Sequence, residues 1–124
     1  MTWREFEEFA ARLFESMGYE VTRLGGWGGD YGADLIACDP KTGVSYCVQA
    51  KKWNQFRVNT SAIKEVLLTW TVYECDAGIV ITNNYFTERA GILSTRIKRV
   101  RVDLWDRDVL IEKIKEVAYK KETL

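Results

Sequence analysis

Apolar residues in the first part of the chain recur with the spacing of an amphipathic helix. The helix is expected to begin near Thr2, which has capping-box spacing with Glu5, and to end near Gly18. Residues 19–24 then alternate between apolar and polar positions, as in a strand. The apolar positions of the predicted helix are Trp3, Phe6, Phe9, Ala10, Leu13, Phe14 and Met17.

The middle of the chain is predicted to form a β-hairpin. A segment at 25–32 that contains five glycines comes first. Residues 33–39 and 44–53 are then predicted strands, and the Pro-Lys-Thr-Gly sequence at 40–43 is typical of the turn that joins them. The hairpin therefore follows the glycine-rich segment directly.

The second half of the chain alternates helix and strand. Any of residues 59–61 can cap a helix whose apolar face includes Ile63 and Trp70. Residues 77–82 form an almost wholly apolar run, as a strand buried on both faces does. Thr87 can then cap another helix, which is expected to extend to about residue 98.

A last strand and a last helix complete the pattern. Residues 99–104 alternate charged and apolar, which predicts a strand whose solvated face carries Arg99 and Arg101. Asp106 can cap the final helix. The predicted order is α-β-β-β-α-β-α-β-α, which we interpret as one α/β domain over residues 1–124, with a mixed central sheet flanked by helices.

The amino-acid composition limits the kinds of active site that the chain can form. The 124 residues carry no net charge and include no histidine. The Ser-His-Asp and Cys-His mechanisms and imidazole zinc sites are therefore excluded. Three cysteines without Cys-x-x-Cys spacing argue against disulfides and for a cytoplasmic location. Neither a signal peptide nor an apolar run of about 18 residues is present, so no membrane association is expected.

The register of the predicted hairpin brings chemically active side chains together. If the turn is centred on its Lys-Thr dipeptide, paired residue numbers sum to 83, so that Asp34 faces Gln49. Because side chains alternate between faces, Gln49 and Lys51 lie on the face to which Asp34 points. The adjacent glycine-rich segment contributes another acid, Asp30.

A carboxylate, an amide oxygen and an ammonium group form a set suited to phosphodiester hydrolysis. Oxygen ligands suit Mg²⁺, and a lysine can orient a water molecule or stabilise phosphoryl charge. The alternative is an ordinary cross-strand ion pair on the surface, worth about 0–1 kcal/mol. Residue types alone leave both interpretations open.

The hairpin sequence resembles a known family. Residues 29–37, Gly-Asp-Tyr-Gly-Ala-Asp-Leu-Ile-Ala, and 48–52, Val-Gln-Ala-Lys-Lys, resemble the active-site hairpin of Mrr-like restriction endonucleases, which belong to the PD-(D/E)xK nuclease superfamily. This branch commonly has Gln-x-Lys where other branches have Glu-x-Lys. The resemblance covers nearly the whole chain and extends to Phe6-Glu7, Gly18-Tyr19, residues 82–87 with Ala90, and residues 102–106.

The resemblance implies a restriction-endonuclease-like α-β-β-β-α-β core and specific residue roles. Asp34 is implied as the principal metal ligand, with Gln49 at the position of the second acid. The main-chain carbonyl of Ala50 can complete the coordination, and Lys51 is implied to position the attacking water. Glu7 corresponds to a helix glutamate that supports the metal site, with Glu8 as the alternative and Asp30 as an accessory acid.

The function implied is that of a DNA endonuclease dependent on Mg²⁺, with Mn²⁺ as a possible substitute. The alternatives are a structure-specific nuclease of the Holliday-junction resolvase type and a non-catalytic DNA-binding module that retains the nuclease core. We expect a homodimer, because one small domain holds a single active site. No separate DNA-recognition domain is expected within 1–124, and a separate specificity subunit is a possible partner.

Basic and aromatic residues near the hairpin suggest contacts to DNA. Residues 51–64 include four basic residues and no acid, a pattern that suits a phosphate backbone. The alternatives are solvation of a strand face by the arginines and packing of the tryptophans in the core or loops. The predicted DNA-contacting residues are Lys52, Arg57, Trp27, Trp53, Arg99 and Arg101.

Overall fold

A computed structural model describes residues 1–24, 34–53 and 55–123, with side chains as far as residue 120. The order of elements is the one predicted, and the α/β fold class is confirmed. The elements are α1 (Trp3–Ser16), β1 (Glu20–Arg23), β2 (Leu35–Cys38), β3 (Ser45–Lys51), α2 (Thr60–Tyr73), β4 (Ala77–Thr82), α3 (Glu88–Arg96), β5 (Val102–Trp105) and α4 (Arg107–Thr123).

The five strands form one mixed sheet in the order β1-β2-β3-β4-β5. The first three strands are antiparallel, whereas β3, β4 and β5 are parallel and are connected through α2 and α3. Leu35 pairs with Val48 and Ile36 with Cys47, so the predicted register is confirmed. This register fixes which side chains of the two hairpin strands share a face.

Helices cover both faces of the sheet. On one face, Phe14 of α1 is fully buried and stacks on Trp105, with ring centroids 5.3 Å apart. On the other face, Ile63 and Val66 of α2 pack in a second cluster with Val80. Burial on both faces explains why residues 77–82 are almost wholly apolar.

Side chains cap the helices where the sequence predicts it. At α1, the Thr2 hydroxyl accepts a hydrogen bond from the Glu5 N–H at 3.1 Å, and the Glu5 carboxylate accepts one from the Thr2 N–H at 2.8 Å. Asn59, Thr87 and Asp106 each accept a hydrogen bond from a main-chain N–H in the first turn of the next helix. These caps satisfy N–H groups that have no partner within a helix.

Two expectations are wrong. Cys47 and Cys75 form a disulfide with a Cα–Cα distance of 5.9 Å, and Cys38 is the free cysteine. The pairing of β3 with β4 brings the residues together across 28 positions, which a search for closely spaced cysteines does not detect. The last strand begins at Val102, so Arg99 and Arg101 precede it and do not form its solvated face.

None of the helices in the described parts of the chain has the length and apolar character needed to cross a bilayer.

Candidate active site

Asp34 is fixed at the beginning of β2 by main-chain contacts to β3. Its N–H donates to the carbonyl of Val48, the residue that pairs with Leu35, at 2.9 Å. Its carboxylate Oδ2 accepts a hydrogen bond from the Ala50 N–H at 2.6 Å. These contacts hold the Asp34 carboxylate against the end of β3, in a cavity that Gln49 and Lys51 also line.

Glu7 of α1 completes a carboxyl pair with Asp34. The two side chains are hydrogen-bonded to each other, because α1 packs across the sheet with Glu7 next to the buried Phe6. Burial raises the pKa of Glu7 to about 8, with further contributions from the Asp34 charge and the shared hydrogen bond. Burial also raises the pKa of Asp34, opposed by the Ala50 N–H, by Glu7 and by Lys51. At neutral pH the pair therefore retains a proton that two separate carboxyl groups would release.

Gln49 lines the same cavity as Glu7 and Asp34, and its side-chain oxygen is buried. Its exposed fraction is 6%, and its Oε1 atom has no hydrogen-bond partner among the described residues. A buried polar atom without a partner costs about 1–3 kcal/mol, so its retention needs a cause. The cavity is about 400 Å³ and is lined by Trp3, Glu7, Asp34, Gln49, Ala50, Lys51, Lys52 and Trp53.

Lys51 forms an ion pair with a residue that sequence reasoning missed. Its Nζ lies 2.8 Å from Oε2 of Glu65, in the second turn of α2. The side chains of Lys51 and Glu65 are 23% and 41% exposed. Glu65 is the single acid in the sequence of α2. An isolated acid in a largely apolar helix was the signal that could have identified it.

The side chains at the site that could bind a metal ion offer several oxygen atoms but few carboxylates. Among residues 1–24, 34–53 and 55–123, no group of three or more Asp, Glu, Cys or His side chains is arranged to hold a metal ion. Two carboxyl groups and the Gln49 amide converge instead. A hard divalent cation fits this set, because it would offset the repulsion of the carboxylates and give the Gln49 oxygen a partner.

A comparison with known families decides the identity. The family model Mrr_cat, described as a restriction endonuclease, matches residues 1–114. This chain belongs to the Mrr_cat restriction endonuclease family. The matched region contains every described residue of the site, from Trp3 of α1 to Glu65 of α2.

Two solved structures share the fold of this chain, and one sequence relative matches most of it. The DNA modification-dependent restriction endonuclease AspBHI matches with a TM-score of 0.68 at 17% identity, over 92% of this chain and 31% of its own. A protein of unknown function, AF1548, matches with a TM-score of 0.63 at 18% identity, over 88% and 65%. The uncharacterized protein y4cE of Sinorhizobium fredii (strain NBRC 101917 / NGR234) is 26% identical over 114 residues. The fold is therefore the restriction endonuclease fold.

This Mrr_cat chain covers only part of those proteins. The match to y4cE covers 90% of this chain but 29% of y4cE, and the match to AspBHI covers less than a third of AspBHI.

Three of the predicted DNA-contacting residues belong to the segment at 52–57, which directly follows β3 in the sequence. Lys52 and Trp53 line the cavity. The main chain of Trp53 is held at its N–H by Asn83 (2.9 Å) and at its carbonyl by Asn84 (3.2 Å). Arg57 contacts the segment after β4, where it donates to the Phe86 carbonyl at 3.4 Å and stacks over Tyr85 at 5.5 Å.

Arg99 and Arg101 are not brought to this site. The Arg101 carbonyl accepts from the Gly78 N–H at 2.9 Å, and its guanidinium contacts the Tyr46 hydroxyl at 3.4 Å. Tyr46 is near the opposite end of β3 from Lys51, roughly 16 Å away along a strand. Both arginines line a larger cavity of about 820 Å³ at that end.

The larger cavity lacks the chemistry of the smaller one. Its described carboxylates are already engaged, since Asp76 accepts from the Ser45 N–H at 2.8 Å and Asp103 is 3.3 Å from Arg101. The one buried polar side-chain atom left without a partner in the described residues belongs to Gln49, in the smaller cavity.

Two predicted residues, Asp30 and Trp27, lie outside the described residues. The fallback acid Glu8 faces elsewhere: it accepts from Arg23 at 2.8 and 2.9 Å and from Arg12 at 3.3 Å. The Arg23 guanidinium lowers the pKa of Glu8 to about 2. Glu7 is therefore the glutamate of α1 that joins the site.

Proposed function

We propose that this chain is the catalytic domain of a divalent-metal-dependent DNA endonuclease. The observation that carries the proposal is the hydrogen-bonded pair of Glu7 and Asp34 beside the unpartnered buried oxygen of Gln49. Membership of a restriction endonuclease family supports the reaction class.

The proposed metal is Mg²⁺, with Mn²⁺ as a substitute. Asp34, Glu7, Oε1 of Gln49 and the Ala50 carbonyl would hold it. Their oxygen atoms suit a hard cation that retains several waters. Once bound, the cation would stabilise the charge that develops on the phosphoryl oxygens. Gln49 contributes no charge, so affinity depends chiefly on Glu7 and Asp34.

The reaction proposed is in-line hydrolysis of a phosphodiester. A bond forms between a water oxygen and phosphorus while the bond from phosphorus to the 3′ oxygen breaks, and the family resemblance implies a 5′-phosphate product. Lys51 would orient the attacking water through its N–H donors and offset phosphate charge. With no histidine in the chain, solvent is proposed to take up the proton that the attacking water loses and to supply the proton that the leaving oxygen gains.

The DNA strand is proposed to enter along the side of the site formed by Lys52, Trp53 and Arg57. Cationic groups there would contact phosphates, and the exposed part of the Trp53 ring could stack on a base. Asp30 and Trp27 remain proposed as an accessory acid and a DNA contact. Arg99 and Arg101 would contact DNA only well away from the cleaved bond.

The experiment that tests this function is a cleavage assay across DNA forms. Linear duplex, single-stranded, methylated and four-way-junction DNA would be incubated with Mg²⁺, Mn²⁺ or a chelator. Metal-dependent cutting of duplex DNA supports the endonuclease. Cutting confined to the junction would instead support the resolvase-type alternative, and DNA binding without cutting of any form would support the non-catalytic module.

A further inference from the structure

The ion pair between Lys51 and Glu65 joins the end of the central strand to the helix that follows it. The two groups are 2.8 Å apart, and about a quarter of the Lys51 side chain is exposed. A lysine at the rim of a cavity ordinarily samples many rotamers. Here a carboxylate on a packed helix restricts its position.

The fold determines where Glu65 is placed. Because β3 and β4 are parallel, α2 returns across the sheet, and its first turns lie near the carboxyl end of β3. Ala62, Ile63 and Val66 are buried against the sheet and fix the rotation of the helix. Glu65 is adjacent to this buried face, and its carboxylate reaches Lys51.

Lys51 interacts with two acidic side chains, Asp34 and Glu65. Its ammonium is attracted to Asp34 on one side and paired with Glu65 on the other, and the charge of Glu65 also acts on Asp34. Gln49 is neutral, so Glu65 brings to Lys51 a negative charge from outside the carboxyl pair. A lysine ammonium has three N–H donors, and Glu65 uses one of them.

We infer that Glu65 is a positioning residue for Lys51. It holds the ammonium at the rim of the cavity and leaves two donors for the attacking water and a phosphate oxygen. The inference rests on the proposed nuclease function for its catalytic consequence, while the positioning itself is a property of the metal-free protein. Glu65 contacts neither the cation nor DNA in this scheme.

The positioning is tested first without any reaction. An amine-acylating reagent would be applied, in the presence of chelator, to wild type, Glu65→Gln and Glu65→Asp. The control is Glu20→Gln, a substitution at an exposed position of β1. Modification of Lys51 would be followed by mass spectrometry. We expect Lys51 to react several-fold faster in Glu65→Gln, at an intermediate rate in Glu65→Asp and at the wild-type rate in Glu20→Gln. Equal Lys51 reactivity in wild type and Glu65→Gln would overturn the inference.

The catalytic consequence is tested by steady-state cleavage with Mg²⁺. Glu65→Gln keeps the size of the side chain, and its folding would be checked by thermal unfolding. We expect kcat to fall roughly tenfold, as for other residues that orient an active group, with KM unchanged and Glu65→Asp partly active. An unchanged kcat would overturn the catalytic role. If the wild type cuts no DNA while Lys51 still reacts faster in Glu65→Gln, the proposed function fails and the positioning stands.

Discussion

The carboxyl group of Glu7 on α1 is hydrogen-bonded to the carboxyl group of Asp34 at the start of β2. Two acids in contact favour keeping a proton between them, and this preference is lost once a cation separates their charges. The pair therefore links the pH dependence of the protein, its metal binding and its proposed catalysis.

Stability of the metal-free protein should fall as pH rises from about 5 to about 8. Glu7 has an ordinary pKa of 4.5 and a pKa of about 8 in the fold, chiefly because of burial. Its protonated form therefore stabilises the fold, fully below pH 4.5, and this contribution is lost as pH rises through 8. Urea unfolding at several pH values, in the presence of chelator, measures this contribution to the free energy of unfolding. Glu7→Gln should flatten the dependence, and the same slope in both proteins would contradict the assignment.

Gln49→Met should stabilise the metal-free protein and weaken its response to Mg²⁺. Methionine has a similar shape without the buried oxygen, so removing the unpartnered Oε1 should stabilise by about 1 kcal/mol. The rise in unfolding midpoint on adding Mg²⁺ should shrink because one ligand is lost. A variant that loses stability in chelator while keeping the full Mg²⁺ response would show that Gln49 is structural.

Basic residues on the two ends of the sheet should differ in their effect on DNA binding. The double variant Lys52→Ala with Arg57→Ala should bind DNA more weakly. The slope of log affinity against log salt concentration should fall by about one phosphate contact for each residue replaced. The matched control, Arg99→Ala with Arg101→Ala, removes equal charge at the far end of the sheet, and a smaller effect is expected. Equal flattening by the two double variants would indicate that DNA extends across both ends.

Concerted cutting of both DNA strands should require two copies of the chain. The described residues contain one carboxyl pair of this kind, and a two-fold arrangement is the simplest way to present two. Sedimentation of the free and DNA-bound protein measures the assembly. A strict monomer in both states would instead predict nicking of single strands.

The hairpin register could be predicted because local sequence determines it. The turn at 40–43 and the period-two alternation of its strands predict pairs whose residue numbers sum to 83, and the observed pairs from Leu35–Val48 to Cys38–Ser45 follow that rule. Helix ends were predictable for a similar reason, since Thr2 and Thr87 act on N–H groups within three residues of themselves.

Contacts that depend on the sheet order were missed. Glu65 reaches Lys51, and Cys75 reaches Cys47, only because β3 and β4 are parallel neighbours. The strand order also places Arg101 at the opposite end of the sheet from the site. The residue types were visible in the sequence, but the direction of each strand decides which end of the sheet they occupy.

Substitution of Asp34 tests the central claim most directly. Plasmid and linear duplex DNA would be incubated with wild type, Asp34→Asn and Lys51→Ala in Mg²⁺ and in chelator, with DNA affinity measured in chelator. The account predicts cleavage by wild type in Mg²⁺ alone, reduced by orders of magnitude in both variants. DNA affinity should persist or rise in Asp34→Asn and fall modestly in Lys51→Ala. Cleavage by Asp34→Asn at the wild-type rate, or no cleavage by wild type with any divalent metal, would contradict it.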